Sequence, residues 1–188
     1  MFIQTEATPN PQVLKFLPGR QLLPGGSREF VSRDEADASP LASALFAIGG
    51  VVRVYYGDDF LTVTKESGRD WAHLKAPILA EIMDHFTCGQ PLIVGEEADL
   101  DEEVYEGDAA QIVAEIKDLL DTRIRPAVAQ DGGDITFSRF EAATGVVFLN
   151  MRGACSGCPS SSATLRAGVE NMLKHYVPEV TRVEQTFL

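Results

Sequence analysis

RGACSGCPSSSATLR, residues 152–166, holds two of the chain's three cysteines, Cys155 and Cys158, with two residues between them. Two thiols so spaced can form a reducible disulfide, whereas a tetrahedral metal or an iron-sulfur cluster takes four ligands. The stretch also marks a change of secondary structure. Upstream, ITFSRFEAATGVVFLNM (135–151) has two strand-like runs around Ala143-Thr144-Gly145, which predicts a hairpin. Downstream, Leu165, Val169, Met172, Leu173 and Tyr176 recur at helical spacing, and Pro159 suits a first helical position. Both cysteines therefore fall on a loop that leads from a strand into a helix N-terminus, where partial positive charge and free N–H groups favour thiolate over thiol. Gly153 and Gly157 leave room for a bulky ligand at the backbone, and Arg152 adds positive charge.

Working outward, Ile112, Ile116, Leu119, Leu120 and Ile124 form an apolar helical stripe that Pro126 kinks or restarts. QDGGD (130–134) reads as a turn and TRVEQTFL (181–188) as a closing strand. The order is α-β-β-α-β, an α+β arrangement of one sheet backed by helices. The first half of the chain is also α+β. FIQTEAT (2–8), QVLKFLP (12–18) and REFVS (28–32) are short strands divided by Pro- and Gly-rich turns. Ser39 and Pro40 start a helix over LASALFAI (41–48) that Gly49-Gly50 ends, and VVRVYYGDDFLTVTKE (51–66) is a second hairpin. Trp71, Leu74, Ile78, Ile82 and Phe86, widened by Leu79 and Met83, then mark a long amphipathic helix.

The net charge of −12 is unevenly spread. EEADLDEEVYEGD (96–108) has eight carboxylates and no Lys or Arg, so self-repulsion and low apolar content predict a solvated linker. It divides the chain into two small domains, 1–95 and 109–188. At 45% hydrophobic content both can bury a core without staples, which frees the cysteines for chemistry. No basic footprint for nucleic acid is present, and no apolar run reaches the length of a membrane span. The start MFIQTEATPNPQVLKF lacks the features of a secretion signal, so an intracellular, reducing setting is expected, where a CxxC pair is catalytic or metal-binding.

Other candidate ligands are scattered. His73 and His85 stand twelve positions apart on one helix, too far to share a face at ligand spacing. Each is expected to be solvated or hydrogen-bonded. Cys88 sits at the end of that helix as a small, semi-buried side chain. His175 is about 25 Å along the helix from Cys158. A structural zinc site within one chain therefore lacks ligands. A thiol-disulfide exchanger lacks the usual sequence context around CSGCPSSS. Two copies of Cys155 and Cys158 related by a two-fold axis supply four thiolates, enough for a [4Fe-4S] or [2Fe-2S] cluster that is exposed and reversibly held. A redox enzyme and an interaction module with incidental zinc stay open as alternatives.

AVAQDGGDI, the strand pair and MRGACSGCPSSSATLRAGVENMLKHYVPEV together resemble the C-terminal domain of NifU, shared by the Nfu family of iron-sulfur scaffold and carrier proteins. MFIQTEATPNPQVLKFLPG with DWAHLKAPILAEIMDHF resembles the N-terminal domain of mitochondrial and bacterial Nfu proteins. The resemblance implies a non-enzymatic carrier. It implies a [4Fe-4S] cluster, with [2Fe-2S] as the alternative, held by Cys155 and Cys158 of two chains in a homodimer. It further implies upstream assembly machinery and apo-protein clients of the lipoyl synthase and aconitase types. The expected location is the bacterial cytoplasm, or the mitochondrial matrix for a processed organellar protein.

Overall fold

The structure is a computed structural model that describes residues 2–94, 105–156 and 159–186, without the side chains of 159–162. Most of the acidic stretch read as a linker, and Gly157 and Cys158, lie outside the described residues. The chain forms two compact units, Met1–Glu97 and Ala98–Leu188, and each element belongs to one of them.

The first unit contains β1 (Gln4–Ala7), β2 (Val13–Leu17), β3 (Arg28–Phe30), α1 (Arg33–Ala36), α2 (Pro40–Ala47), β4 (Val51–Tyr56), β5 (Leu61–Lys65) and α3 (Trp71–Cys88). Its strands make one antiparallel sheet in the order β1-β2-β5-β4-β3. Ser39 caps α2 as its sequence predicts, accepting from the Ala42 N–H at 3.2 Å, and it also bonds the buried Tyr56 hydroxyl at 2.9 Å. Desolvation raises the Tyr56 pKa well above the ordinary phenol range, so the hydroxyl keeps its proton. The single turn of α1 is an addition to the sequence reading. Its signal lies in SRDE: the Ser32 hydroxyl accepts from the Glu35 N–H, and the Glu35 carboxylate accepts from the Val31 N–H.

On α3 the stripe divides differently from its expected width. Leu74, Ile78 and Ile82 are buried, whereas Met83 is 43% exposed. His85, expected to be solvated or hydrogen-bonded, is only 6% exposed, and its Nε2 has no hydrogen-bond partner. Three residues after Ile82, it shares that residue's inward face.

The second unit contains α4 (Asp108–Leu119), a π-turn (Leu120–Ile124), α5 (Arg125–Gln130), β6 (Gly133–Glu141), β7 (Val146–Gly153), α6 (Pro159–Tyr176) and β8 (Arg182–Thr186). Pro126 has no N–H to donate and its ring crowds the carbonyl four residues back, and the widened π-turn just before it absorbs that conflict. β6 pairs antiparallel with β7, and β7 pairs parallel with β8 through the α6 crossover. Ile116, Leu120, Ile124, Ile135, Leu149 and Leu173 lie at the centre of the core. Tyr105, from the end of the acidic stretch, packs edge-on against Phe137 and accepts from the Phe140 N–H at 2.8 Å. The described end of that stretch thus belongs to the second unit, because an aromatic ring can cover the open edge of β6 where carboxylates cannot.

The edge strand β8 is covered in a comparable way. Glu170 on α6 accepts from the Val183 N–H at 3.0 Å and from Lys174 Nζ at 2.6 Å. The Lys174 bond first and the Val183 bond second hold the Glu170 pKa below its ordinary value. A carboxyl with a lowered folded pKa stabilises the fold above the ordinary carboxylate range and loses that contribution as pH falls through its own value. Glu170→Gln is expected to cost up to about 1 kcal/mol near neutral pH, discounted for partial exposure. Denaturant titrations at neutral and strongly acidic pH should show this difference shrinking toward zero in acid.

Candidate functional site

The site grows from the two ends of the β6–β7 pair. β7 ends at Gly153, whose φ of 62° is left-handed, and the chain turns there into Ala154, Cys155 and Ser156. Opposite, Asp131-Gly132 turns the chain from α5 into β6, with Gly132 also left-handed at φ 79°. The Ala154 N–H donates to the Gly132 carbonyl at 3.1 Å, and the Ser156 N–H donates to the Gly153 carbonyl at 3.1 Å. The two turns are thereby locked together.

Gly133 matters for a different reason, since its backbone is not left-handed. A Cβ on Gly133 would stand 2.3 Å from the Cys155 Sγ and 3.0 Å from the Cys155 N. The sulfur occupies the space that any side chain at position 133 would take. Cys155 is accordingly 6% exposed and packs with the core of the second unit. The sequence reading placed both cysteines on a surface loop; the structure buries Cys155, because paired glycines let the loop settle onto the start of β6.

Asp134 fixes that strand start. Arg125 Nε donates to Asp134 Oδ1 at 2.8 Å and Nη2 donates to Oδ2 at 3.2 Å, a two-point clamp. The Asp134 Oδ1 also accepts from the Ile135 N–H at 2.9 Å, and Asp121 accepts a third bond from Arg125 at 3.0 Å. These bonds, that to Asp134 foremost, push the Arg125 pKa further above its ordinary value. The guanidinium stays charged at any working pH. In register, Asp134 stands opposite Arg152. Sequence reasoning took QDGGD only as a turn and passed over Arg125; an acidic residue directly after paired glycines, with a cation beside Pro126, was the available signal.

The other candidates lie elsewhere. Cys88 is exposed at the end of α3 in the first unit, His73 is exposed, and His175 is exposed near the C-terminus of α6. Among the described residues no group of three or more His, Cys, Asp or Glu side chains is placed to hold a metal ion. Within one second unit the thiols number two, Cys155 and Cys158.

With that geometry in view, the relationships of the chain are informative. Residues 3–89 match the family described as Scaffold protein Nfu/NifU N terminal, and residues 116–184 match the NifU-like domain. The chain belongs to the Nfu family of NifU-like proteins. It is 54% identical over 189 residues to NifU-like protein 5, mitochondrial, of Arabidopsis thaliana, covering 100% of this chain and 68% of that protein. It is 50% identical over 188 residues to the NFU1 iron-sulfur cluster scaffold homolog, mitochondrial, of Drosophila ananassae, covering 100% of this chain and 65% of that one. The chain thus spans about two thirds of the length of these relatives. A NifU-like protein from Saccharomyces cerevisiae, solved by NMR, aligns with a TM-score of 0.47 and 32% identity over 51% of this chain and 87% of its own.

Two measurements test the geometry. In the metal-free chain, iodoacetamide should alkylate Cys88 at least about tenfold faster than Cys155, as read by peptide mass spectrometry, with the difference lost in denaturant. Gly133→Ala should destabilise the chain by about 1–3 kcal/mol in urea titrations through overpacking against the sulfur and should speed alkylation of Cys155.

Proposed function

We propose that this chain is an iron-sulfur cluster scaffold and carrier. Cys155 and Cys158 of one chain and the same pair of a second chain hold a [4Fe-4S] cluster as cargo, with [2Fe-2S] as the alternative. The reading rests on one observation above all: a NifU-like unit sets its first motif thiol at the end of β7, and that unit contains two thiols where a cluster takes four. A second copy supplies the missing pair. The names of the relatives support the scaffold role.

The donor set suits the cargo. Thiolates are the usual ligands of iron-sulfur clusters, and a loop held by backbone hydrogen bonds can present a sulfur without large rearrangement of the core. Cys155 is nearly covered, so loading includes a movement that uncovers its sulfur. This chain performs no bond-making chemistry on a substrate in this reading and is not an enzyme. It receives the cluster from upstream assembly machinery and delivers it to apo-proteins of the lipoyl synthase and aconitase types. Residues 109–188 form the cluster-binding domain, 96–108 an acidic spacer and 1–95 a domain that recognises clients. The mitochondrial relatives favour the mitochondrial matrix over the bacterial cytoplasm.

Anaerobic reconstitution with iron and sulfide tests the shared site. The metal-free chain should run largely as a monomer and the loaded chain as a dimer with about four irons for a [4Fe-4S] cluster. Cys155→Ser or Cys158→Ser should abolish stable loading, because oxygen ligands hold such clusters poorly, while Cys88→Ser should leave it nearly unchanged. A fully loaded monomer, or equal loss in all three variants, overturns the arrangement.

A further inference from the structure

The first unit has a small cavity between the loop after β2 and the C-terminal turn of α3. Its volume is about 210 Å³, and Arg20, Leu22, His85, Phe86, Gln90 and Leu92 line it. Three features set it apart from ordinary surface. His85, one of its walls, is 6% exposed, and its Nε2 has no hydrogen-bond partner. Buried polar atoms in folded proteins nearly always have one. Arg20 makes no ion pair or hydrogen bond among the described residues. Its guanidinium lies 4.9 Å from the centroid of the Phe86 ring, which orients its fork beside the cavity.

We propose that this cavity binds a carboxylate group, with the Arg20 guanidinium as its charge partner and His85 as its buried hydrogen-bond donor. Desolvation first, and the charge of Arg20 second, lower the His85 pKa, so the ring is neutral near pH 7. In the tautomer protonated on Nε2 it donates one N–H. One guanidinium and one neutral imidazole carry a single positive charge, which matches a monoanion. A phosphate dianion is disfavoured, because it would meet twice the repulsion from the partial negative charge at the C-terminal end of α3 with the same single cation to offset it. The planar fork of arginine suits the two oxygens of a carboxylate. Leu22, Leu92 and the Phe86 ring offer apolar contact to a short carbon stem. The volume is below that of sites for drug-sized ligands and fits a side chain or a small acid. The carboxylate has two sources, a free short-chain dicarboxylic acid or a Glu or Asp side chain of a partner protein.

The test is a two-dimensional ¹⁵N–¹H NMR titration of the full chain at constant ionic strength. The probes are sodium glutarate, a capped tripeptide with central Glu, the same peptide with central Gln, and sodium chloride. Saturable shifts at the amides of Gln90 and of Gln21 and Gly89, which also line the cavity, are expected with glutarate, the Glu peptide or both, and none with the other two probes. Response to glutarate alone assigns a free small acid as the source, and response to the Glu peptide assigns a protein side chain. Arg20→Gln should weaken binding by about tenfold or more through loss of a charge-assisted pair, while Arg28→Gln should not change it. Arg20 is exposed, so its variant should fold, as its spectrum will report. Gln90→Ala, at a second lining position, should also weaken binding. Absence of saturable shifts with both carboxylates up to about 50 mM overturns the proposal, as does binding that Arg20→Gln leaves unchanged.

Discussion

The missing Cβ at Gly133 is the constraint around which the second unit is arranged. The Cys155 sulfur lies where that atom would be, so the loop after β7 can settle on the first residue of β6. From this contact follow the coupling of the two turns through the Ala154–Gly132 hydrogen bond and the burial of the thiol. Arg125 and Asp134 secure it from below. A charge clamp with one partner almost fully buried is costly to break, because removing Arg125 takes two charge-assisted bonds from a carboxylate that water reaches poorly. The clamp therefore acts as a positional device for the strand that carries Gly133.

The same sheet shows how a three-stranded edge-rich structure stays discrete. Of its two outer strands, β6 has the Phe140 N–H taken up by the Tyr105 hydroxyl, and β8 has the Val183 N–H taken up by the Glu170 carboxylate. Both devices occupy donors that would otherwise be open to strand pairing with another chain. The parallel β7–β8 pair requires a crossover, and α6 supplies it, so the cysteine loop stands where strand hands over to helix.

The first unit follows different physics. Its five-stranded antiparallel sheet is accompanied by three α-helices with side-chain N-caps at Ser32, Ser39 and Asp70, and its single cysteine is exposed at a helix end. What chemistry it holds is at the C-terminal turn of α3, where a buried imidazole faces a side-chain cavity beside an arginine. The two units thus differ in the side chains they gather: a nearly covered thiol beside a strand start in one, a buried imidazole and an arginine around a small cavity in the other.

Much of this was legible in the sequence because local rules and tertiary packing agree. Helical spacing identified Leu74, Ile78 and Ile82 on α3 and Val169 and Leu173 on α6, and the runs around Ala143-Thr144-Gly145 marked the β6–β7 hairpin. Ser39-Pro40 marked a helix start, and Pro126 marked a break that the π-turn accommodates. The place of Cys155 just after a strand was equally plain. Less plain was which side of an element a residue meets. His85 lies on the inward face of α3 while Met83 faces out, a difference of two positions that an apolar stripe seven residues wide does not resolve. Tyr105 reads as part of a charged run, yet its ring finds an open strand edge 35 residues later in the chain. Composition and spacing determined by themselves the two α+β units and the count of two thiols in the second. Only tertiary structure decided that Gly133 meets Cys155 and that Arg125 reaches Asp134, because contacts across turns depend on which atoms are absent, and periodicity records only which are present.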